Sequence, residues 1–362
     1  MSQIRLHFAV RAAVAVLAFA LCGLASAQTK WDMPTAYPPS NYHTENIAQF
    51  VADLDAATGG KLKITVHNNA SLFKANEIKR AVQSNQAQIG EILISGYANE
   101  DPLFGLDSVP FLATSYADAQ KLWKASRKAL DEHFAKQGLK VLYAVPWPPQ
   151  GIYSNKPLNT IADMKGLKMR IGGSAGVVMQ KLGLVPQQIA GGDIYPALEK
   201  GTIDAAEWVG PYDDEKLGLY KVAKYYYYPG WWEGGPELDL FVNTKAWSEL
   251  PKDYQAILEA ACAEANIDCM AKYDALNPPA LRRLVAAGVQ LRPFPREIMQ
   301  ACHKAAVEVY DEFATTNPKF KKVYEPWKKF RDEDILWFRV AEQNFDTFMA
   351  TASTQSAAPA KK

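Results

Sequence analysis

The chain has 362 residues, and its 40 Lys and Arg residues nearly balance its 39 Asp and Glu residues. This near-neutral charge argues against nucleic acid as a partner. The length exceeds what one hydrophobic core comfortably holds, so we expect two domains.

Residues 1–27 have the pattern of a cleaved export signal. Two arginines precede a nearly unbroken apolar run over 12–24, and Ala-Ser-Ala at 25–27 fits a cleavage site before Gln28. An uncleaved N-terminal anchor is the alternative, although the run is short for a membrane span. Losing two arginines changes the formal net charge from +1 to −1. We therefore expect an exported protein in a bacterial periplasm.

Cys262, Cys269 and Cys302 remain in the exported chain. The first two lie too far apart along one helix to bridge each other, but either is able to pair with Cys302 in an oxidising compartment. There is no Cys-x-x-Cys motif and the histidines are scattered, so zinc and thiol redox chemistry are disfavoured.

The first half of the exported chain alternates strand and helix patterns. The predicted elements are a strand at 62–67, a helix at 74–86, a strand at 89–94, a helix at 117–137 and a strand at 139–145. Strand–helix–strand order is typical of an α/β fold. A proline-rich segment at 146–151 then breaks regular structure and is a plausible hinge or crossover.

A second α/β unit follows, and the chain then returns to the first one. The predicted elements are strands at 167–171, 203–208, 238–243 and 290–293, helices at 175–182, 193–200 and from 252 through 273, and an aromatic helix at 320–348. The strand at 238–243 is expected to rejoin the first domain. An aromatic block at 225–232 either lines a pocket or fills the core.

Two α/β lobes behind an export signal match the hinge-closing architecture of solute-binding proteins, with a ligand cleft between the lobes and long C-terminal helices. The expected division is lobe I at 28–150 and about 240–275, lobe II at 151–239 and about 276–318, a helical dimerisation segment at 319–349, and a disordered tail at 350–362.

Arg170 is the most informative single residue. It ends an apolar strand that runs into a glycine pair, where a cation is costly to desolvate unless an anion meets it. Glu207 lies in another apolar, strand-like segment. The pair indicates a small-anion site, with or without a metal, while the plain alternative is an internal ion pair of Arg170 with an acid such as Asp204.

Several motifs in this order resemble one known family. They are Pro-Trp-Pro-Pro-Gln-Gly at 146–151, Ser-Asn-Lys-Pro-Leu at 154–158, Asp-Met-Lys-Gly-Leu-Lys-Met-Arg at 163–170, and the segment from Gln-Gln-Ile at 187 to Ala-Glu-Trp at 208. The chain resembles the extracytoplasmic solute-binding proteins of tripartite ATP-independent periplasmic (TRAP) transporters. Tyr-Pro-Gly-Trp-Trp-Glu-Gly-Gly at 228–235 and the Trp-rich C-terminal helix resemble the subgroup that binds 2-oxo acids such as pyruvate.

The resemblance implies a site and its ligands. Arg170 matches the arginine that clamps the ligand carboxylate. Gln150, Glu207 and the Trp208 carbonyl match the groups that hold a metal ion bridging protein and substrate. Oxygen donors of this kind suit Na⁺ or Ca²⁺. Glu233 and Tyr97 are weaker candidates for contact with the ligand.

The resemblance also implies a function. The expected protein is a binding subunit and not an enzyme, which captures a small 2-oxo or 2-hydroxy monocarboxylate with a metal and delivers it to TRAP membrane subunits. A polyol, lactate or aromatic acid is an alternative ligand. A secreted glycosidase using acids such as Glu207 and Glu233 is the rival from another class. The aromatic helix at 320–348 is expected to form a homodimer.

Overall fold

The computed structural model of the protein describes residues 28–113, 115–233 and 236–356, so the predicted export signal at 1–27 lies outside the described residues. The strands are β1 (Thr29–Pro34), β2 (Leu62–His67), β3 (Ile89–Leu93), β4 (Leu139–Pro146), β5 (Ile152–Ser154), β6 (Lys168–Arg170), β7 (Val185–Gln187), β8 (Ala205–Glu207), β9 (Tyr225–Tyr228), β10 (Glu237–Asn243) and β11 (Gln290–Pro293). The α-helices are α1 (Tyr42–Ala57), α2 (Ala75–Gln83), α3 (Tyr116–Ala135), α4 (Ile161–Met164), α5 (Gly173–Lys181), α6 (Gly191–Glu199), α7 (Pro211–Leu217), α8 (Thr244–Glu249), α9 (Lys252–Ala286), α10 (Arg296–Thr316), α11 (Pro318–Val340) and α12 (Glu342–Ser356). Short 3-10 helices cover Ile94–Tyr97, Pro102–Ser108 and Leu219–Lys221.

We call the part built on the first two sheets the first lobe. β1 and β2 pair in parallel, and β10 lies between β3 and β4 in an antiparallel sheet. A bridge between Thr35 and Glu91 connects the end of β1 to β3. Every residue of β10 is buried, as a central strand requires. The predicted return of the chain to the first domain at 238–243 is therefore confirmed.

We call the part built on the third sheet the second lobe. Its strand order is β11-β9-β5-β8-β6-β7, and β5 runs antiparallel to both of its neighbours. The aromatic block contributes core residues here, because Tyr226, Tyr227 and Trp232 are each at most 2% exposed. The Tyr226 ring also stacks on Tyr153 with ring centroids 4.0 Å apart. The exact boundaries of the two lobes remain a prediction.

Helix α9 connects the lobes. It packs against α1 and β4 of the first lobe and against α7, which follows β8 of the second-lobe sheet. Pro278 and Pro279 lie inside this helix, which continues to Ala286. A proline removes a backbone donor and crowds the preceding turn. The packing of α9 on several other elements outweighs this local preference.

The C-terminal helices leave the body of the protein gradually. The first part of α11 buries Phe320, Tyr324 and Trp327, whereas Leu336 and Trp337 further along are more than 60% exposed. The tail expected to be disordered from residue 350 instead continues α12 to Ser356, and 357–362 lie outside the described residues. Within the described ranges, no helix is both long and apolar enough to cross a membrane.

The possible disulfide to Cys302 is not formed. Cys262, Cys269 and Cys302 are all buried free thiols. Cys302 lies on α10, which packs against α5 and α11, whereas the other two lie on the part of α9 that faces the first lobe. Their separation in the fold, and not the redox chemistry of the compartment, explains why they do not pair.

The first lobe buries carboxyl groups beside its sheet. Glu91 on β3 is 1% exposed, and its only described hydrogen-bond partner is the Tyr143 hydroxyl, which donates to Glu91 Oε1 at 2.9 Å. Burial raises the pKa of Glu91 to about 8, and the Tyr143 bond offsets this only in part. Glu91 is therefore neutral in the folded protein near pH 7, although it ionises in the unfolded chain.

The substitution Glu91→Gln is expected to stabilise the protein more at pH 8 than at pH 5. The wild type loses stability as pH rises from about 4.5 toward about 8, because only the unfolded chain ionises Glu91 in that range. Glutamine mimics the neutral acid and removes this loss, with a difference on the order of 2–4 kcal/mol. Urea unfolding of both proteins at the two pH values measures it, and an equal effect at both would contradict the buried neutral state.

Candidate functional site

Strand register brings three of the predicted site residues to one edge of the second-lobe sheet. In the parallel pair β6–β8, Arg170 lies opposite Ala206, so Arg170 and Glu207 end neighbouring strands on the same side. In the antiparallel pair β5–β8, Ile152 lies opposite Glu207, which places Gln150 just beyond that edge. The three residues share this edge because β8 is the common neighbour of β5 and β6.

Arg170 has fixed partners on one side only. Its Nε donates to the Ile189 carbonyl at 3.2 Å, and its Nη1 donates to both the backbone carbonyl and the carboxylate of Glu207. Its Nη2 has no acceptor among the described residues, and the side chain is 21% exposed. The alternative ion pair with Asp204 is not present, since Asp204 pairs with Lys156. The guanidinium is therefore oriented by protein groups and keeps a face for an anion.

Glu207 is the buried carboxylate that pairs with Arg170 in the site. It is 3% exposed, and burial raises its pKa while the neighbouring Arg170 charge and hydrogen bond lower it. Glu233 lies close to the pair and is 5% exposed. Burial, together with the nearby charges of Glu207 and Asp107, raises the pKa of Glu233 well above its usual range. The site thus contains two buried acids near one arginine, an arrangement that attracts a cation.

Gln150 is held in place by its backbone. A Cβ on Gly230 would lie 2.2 Å from the Gln150 carbonyl oxygen, so the two chain segments touch at a distance that only glycine permits. The Gln150 side chain is 1% exposed, and its Oε1 accepts a long hydrogen bond of 3.4 Å from Trp232 Nε1. This leaves the amide oxygen with capacity for a stronger partner.

The Trp208 ring forms a wall between the lobes. It is 2% exposed and packs under the Arg170 guanidinium, whose carbon lies 5.3 Å from the ring centroid. From the first lobe, Tyr37 and Trp147 approach it, each with a ring centroid 6.4 Å away. Their contact closes the two lobes over the site. Sequence reasoning missed Tyr37 and Trp147, although Trp147 stands in the Pro-Trp-Pro-Pro motif.

His43 is a further residue that sequence reasoning missed. It is 1% exposed, its ring lies 4.4 Å from that of Tyr37, and neither ring nitrogen has a partner among the described residues. Burial lowers the pKa of His43 to about 3, so the imidazole is neutral. No local pattern distinguishes this residue in the sequence, since its environment comes from distant segments.

Tyr97 does not join the cluster. Its hydroxyl donates to the Ala75 carbonyl at 2.7 Å and accepts from the Lys79 backbone N–H at 3.2 Å. Both bonds fix the start of α2 within the first lobe. That Tyr97 offers its hydroxyl to the ligand stays a prediction; in this structure the one proton of the hydroxyl is donated to the backbone.

The donor set fits a hard cation. The Gln150 amide oxygen, the Glu207 carboxylate and a backbone carbonyl at Trp208 are oxygen ligands of the kind that Ca²⁺ and Na⁺ accept. Across the described ranges, no group of three or more His, Cys, Asp or Glu side chains is arranged to hold a metal, which agrees with a site that combines one carboxylate with neutral oxygens.

Comparison with known proteins identifies the family. The model of the bacterial extracellular solute-binding proteins, family 7, matches residues 34–317, and the chain belongs to this family. A monocarboxylate 2-oxoacid-binding periplasmic protein of Nostoc is 41% identical over 329 residues, which cover 89% of this chain and 90% of the relative.

Two solved structures are similar over nearly their whole length. A TRAP transporter solute-binding protein from Bordetella bronchiseptica, a mixed-occupancy dimer with co-purified calcium and picolinate, is 38% identical with a TM-score of 0.87, covering 91% of this chain and 99% of that one. A TRAP periplasmic protein from Pseudoalteromonas atlantica with bound sodium and pyruvate is 30% identical with a TM-score of 0.81, covering 88% and 98%. The predicted two-lobed α/β fold, the TRAP family and the periplasmic location are thereby confirmed.

The substitution Gly191→Ala is expected to disturb the site, whereas the adjacent Gly192→Ala is not. A Cβ on Gly191 would lie 2.3 Å from the Trp208 ring, while a Cβ on Gly192 meets no atom within 4 Å. Overpacking should lower the free energy of unfolding by about 1–3 kcal/mol at Gly191, against a change within about 0.5 kcal/mol at Gly192. Chemical denaturation measures both, and equal effects would show that the ring has room to move.

Proposed function

We propose that the protein captures a small 2-oxo or 2-hydroxy monocarboxylate together with Na⁺ or Ca²⁺ and delivers it to TRAP membrane subunits. The observation that carries the proposal is the guanidinium of Arg170, which has one nitrogen without an acceptor among the described residues and is paired with Glu207 at the sheet edge just beyond which Gln150 lies. The free nitrogen of an arginine oriented in this way is able to donate charge-assisted hydrogen bonds to a carboxylate.

The ligands in the relatives share one chemical feature. In pyruvate an oxo oxygen, and in picolinate the ring nitrogen, is bonded to the carbon that carries the carboxylate. A ligand of this kind offers a cation two donor atoms at once and still has a carboxylate oxygen for Arg170. When bound, the cation supplies charge that offsets Glu207 and Glu233, and the chain's own oxygens at Gln150, Glu207 and Trp208 would hold it.

We infer that the protein is a receptor and not an enzyme. The glycosidase alternative requires Glu207 as an acid or base, but Arg170 already engages this carboxylate. An aromatic acid remains the second candidate ligand, because the site is bordered by the rings of Tyr37, Trp147 and Trp208. A planar ring stacks well against such a wall.

The substitution Arg170→Lys is expected to abolish ligand binding. A lysine ammonium cannot reproduce the planar guanidinium fork or its bond to Ile189, so the ligand carboxylate is no longer held in a fixed position. In the wild type, pyruvate at 100 times its Kd should stabilise the fold by about 2.7 kcal/mol, and a chelator or removal of Na⁺ should reduce this. Thermal unfolding with pyruvate, 2-oxobutyrate, lactate, picolinate, succinate and mannitol measures the effect.

A matched control is Arg292→Lys, on edge strand β11 of the same sheet, where the guanidinium contacts Gln290. It should keep the full ligand response. Normal carboxylate binding by the Arg170→Lys protein would overturn the site, and a response to mannitol but to no acid would overturn the ligand class.

We also propose that the protein forms a homodimer through its C-terminal helices. The apolar side chains of the second half of α11 and of α12 are exposed together, namely Leu336, Trp337, Val340, Phe345, Phe348 and Met349. An apolar patch of this kind on a soluble receptor is typical of a protein–protein contact. The dimeric Bordetella bronchiseptica relative supports a second copy of the chain as the partner.

The double substitution Trp337→Asp with Phe345→Asp is expected to give a monomer, since charges at these positions would be buried without partners in the dimer. The wild type should have about twice the monomer mass by light scattering at micromolar concentration. Ile267→Asp is the control, because Ile267 is equally exposed at 64% but lies on α9. A monomeric wild type would contradict the proposal.

A further inference from the structure

Helix α1 of the first lobe is capped by a residue of the second lobe. Asn41 stands at its N-cap position but makes no side-chain bond to the helix. The Tyr42 N–H, which has no partner within the helix, instead donates to Asp213 Oδ1 at 2.9 Å. Asp213 lies on α7 and is 1% exposed. A carboxylate in this position both satisfies the donor and complements the positive end of the helix.

The same short helix holds the first lobe at further points. Asp213 Oδ2 accepts from the Tyr273 hydroxyl of α9 at 2.7 Å. Lys216 donates to the Ser40 carbonyl at 2.7 Å and to the Glu45 carboxylate at 2.9 Å. Helix α7 therefore contacts both the loop before α1 and the first turn of α1.

Asp214, the residue after Asp213, links these contacts to the anion site. Asp214 Oδ1 accepts from the backbone N–H groups of Val209 and Gly210 at 3.0 and 3.1 Å, and its Oδ2 accepts from the Tyr226 hydroxyl at 2.6 Å. The turn fixed in this way directly follows Glu207 and Trp208. Asp214 thus binds the turn that follows Trp208, and the preceding residue, Asp213, binds the first lobe.

Tyr37 and Trp147, the first-lobe rings that face Trp208, form what we call the first-lobe wall. Helix α1, which Asp213 caps, adjoins part of this wall. Tyr37 lies in the loop leading into α1, and His43 is in its first turn, with the two rings 4.4 Å apart. The Tyr37 ring faces Trp208 across the lobes at 6.4 Å. The start of α1 is therefore one of the supports of this wall, together with the bond that the Leu93 backbone N–H donates to the Tyr37 hydroxyl at 3.1 Å.

We propose that Asp213 is a positioning residue that couples the anion site to the approach of the first lobe, by capping α1 from the second lobe. The inference rests on the proposed function, since it concerns the closing of the lobes over that ligand. Loss of the cap leaves the Tyr42 N–H buried without an acceptor, frees the start of α1 and withdraws Tyr37 from the ligand. As a positioning residue, Asp213 contacts neither the ligand nor the metal.

The test compares Asp213→Ala, Asp213→Asn and Tyr273→Phe with the wild type. Hydrogen exchange without ligand should become faster in Asp213→Ala both in the first turn of α1 and in the 207–210 turn. Pyruvate affinity, measured by calorimetry with Na⁺ and Ca²⁺ present, should fall about tenfold, the effect of losing a helix cap. Asparagine keeps an acceptor for Tyr42 and should restore both readouts. Tyr273→Phe removes only the other bond to Asp213 and should leave affinity within about threefold, since a single net hydrogen bond away from the site is worth little.

Faster exchange in α1 alone, or an Asp213→Asn protein as impaired as Asp213→Ala, would overturn the inference, because the acid would then be structural only. A wild type that does not respond to pyruvate would count against the proposed function. In that case, faster exchange in both segments of Asp213→Ala would still support the coupling, so the two failures are distinguishable.

Discussion

The contact between Arg170 and Glu207 is the interaction on which the rest of the site depends. The Glu207 carboxylate is buried and the Arg170 guanidinium is partly buried, and their ion pair at the edge of the second-lobe sheet offsets part of the cost of burying the carboxylate. The pair orients the guanidinium and leaves one of its nitrogens for a carboxylate. In the proposed site this ion pair lies at the sheet edge just beyond which Gln150 lies, so that it would contribute to both an anion position and a cation position.

Backbone geometry supports this pair more than side-chain chemistry does. β8 aligns Arg170 on one neighbouring strand with Gln150 beyond the other. Glycines then bring further segments within reach, with Gly230 against the Gln150 backbone and Gly191 against Trp208. The first lobe contributes the aromatic rings of Tyr37 and Trp147, which face Trp208. The site is therefore rigid on the second-lobe side, and the first lobe supplies the cover.

The sequence predicted the parts of the site that depend on local pattern. Arg170 is recognisable because a cation inside an apolar strand requires an anion, and the order of the motifs indicated Gln150, Glu207 and Trp208. The role of Tyr97 stays a prediction, because its hydrogen bonds with Ala75 and Lys79 depend on how α2 packs, which no spacing reveals. Tyr37 and His43 were missed for the same reason. The strand order was also beyond local reasoning, although the return of β10 was expected from its apolar pattern.

That return has a consequence for how the chain is made and exported. β10 is the central strand of the first lobe, yet it is more than ninety residues later in the chain than its partner β4. Until the ribosome or the export channel has released residue 243, β3 and β4 have unpaired edges and the core of the first lobe is incomplete. Long-range pairing of this kind is slow. The first lobe is consequently completed only after most of the chain, including the second-lobe strands from β5 to β9, has been made.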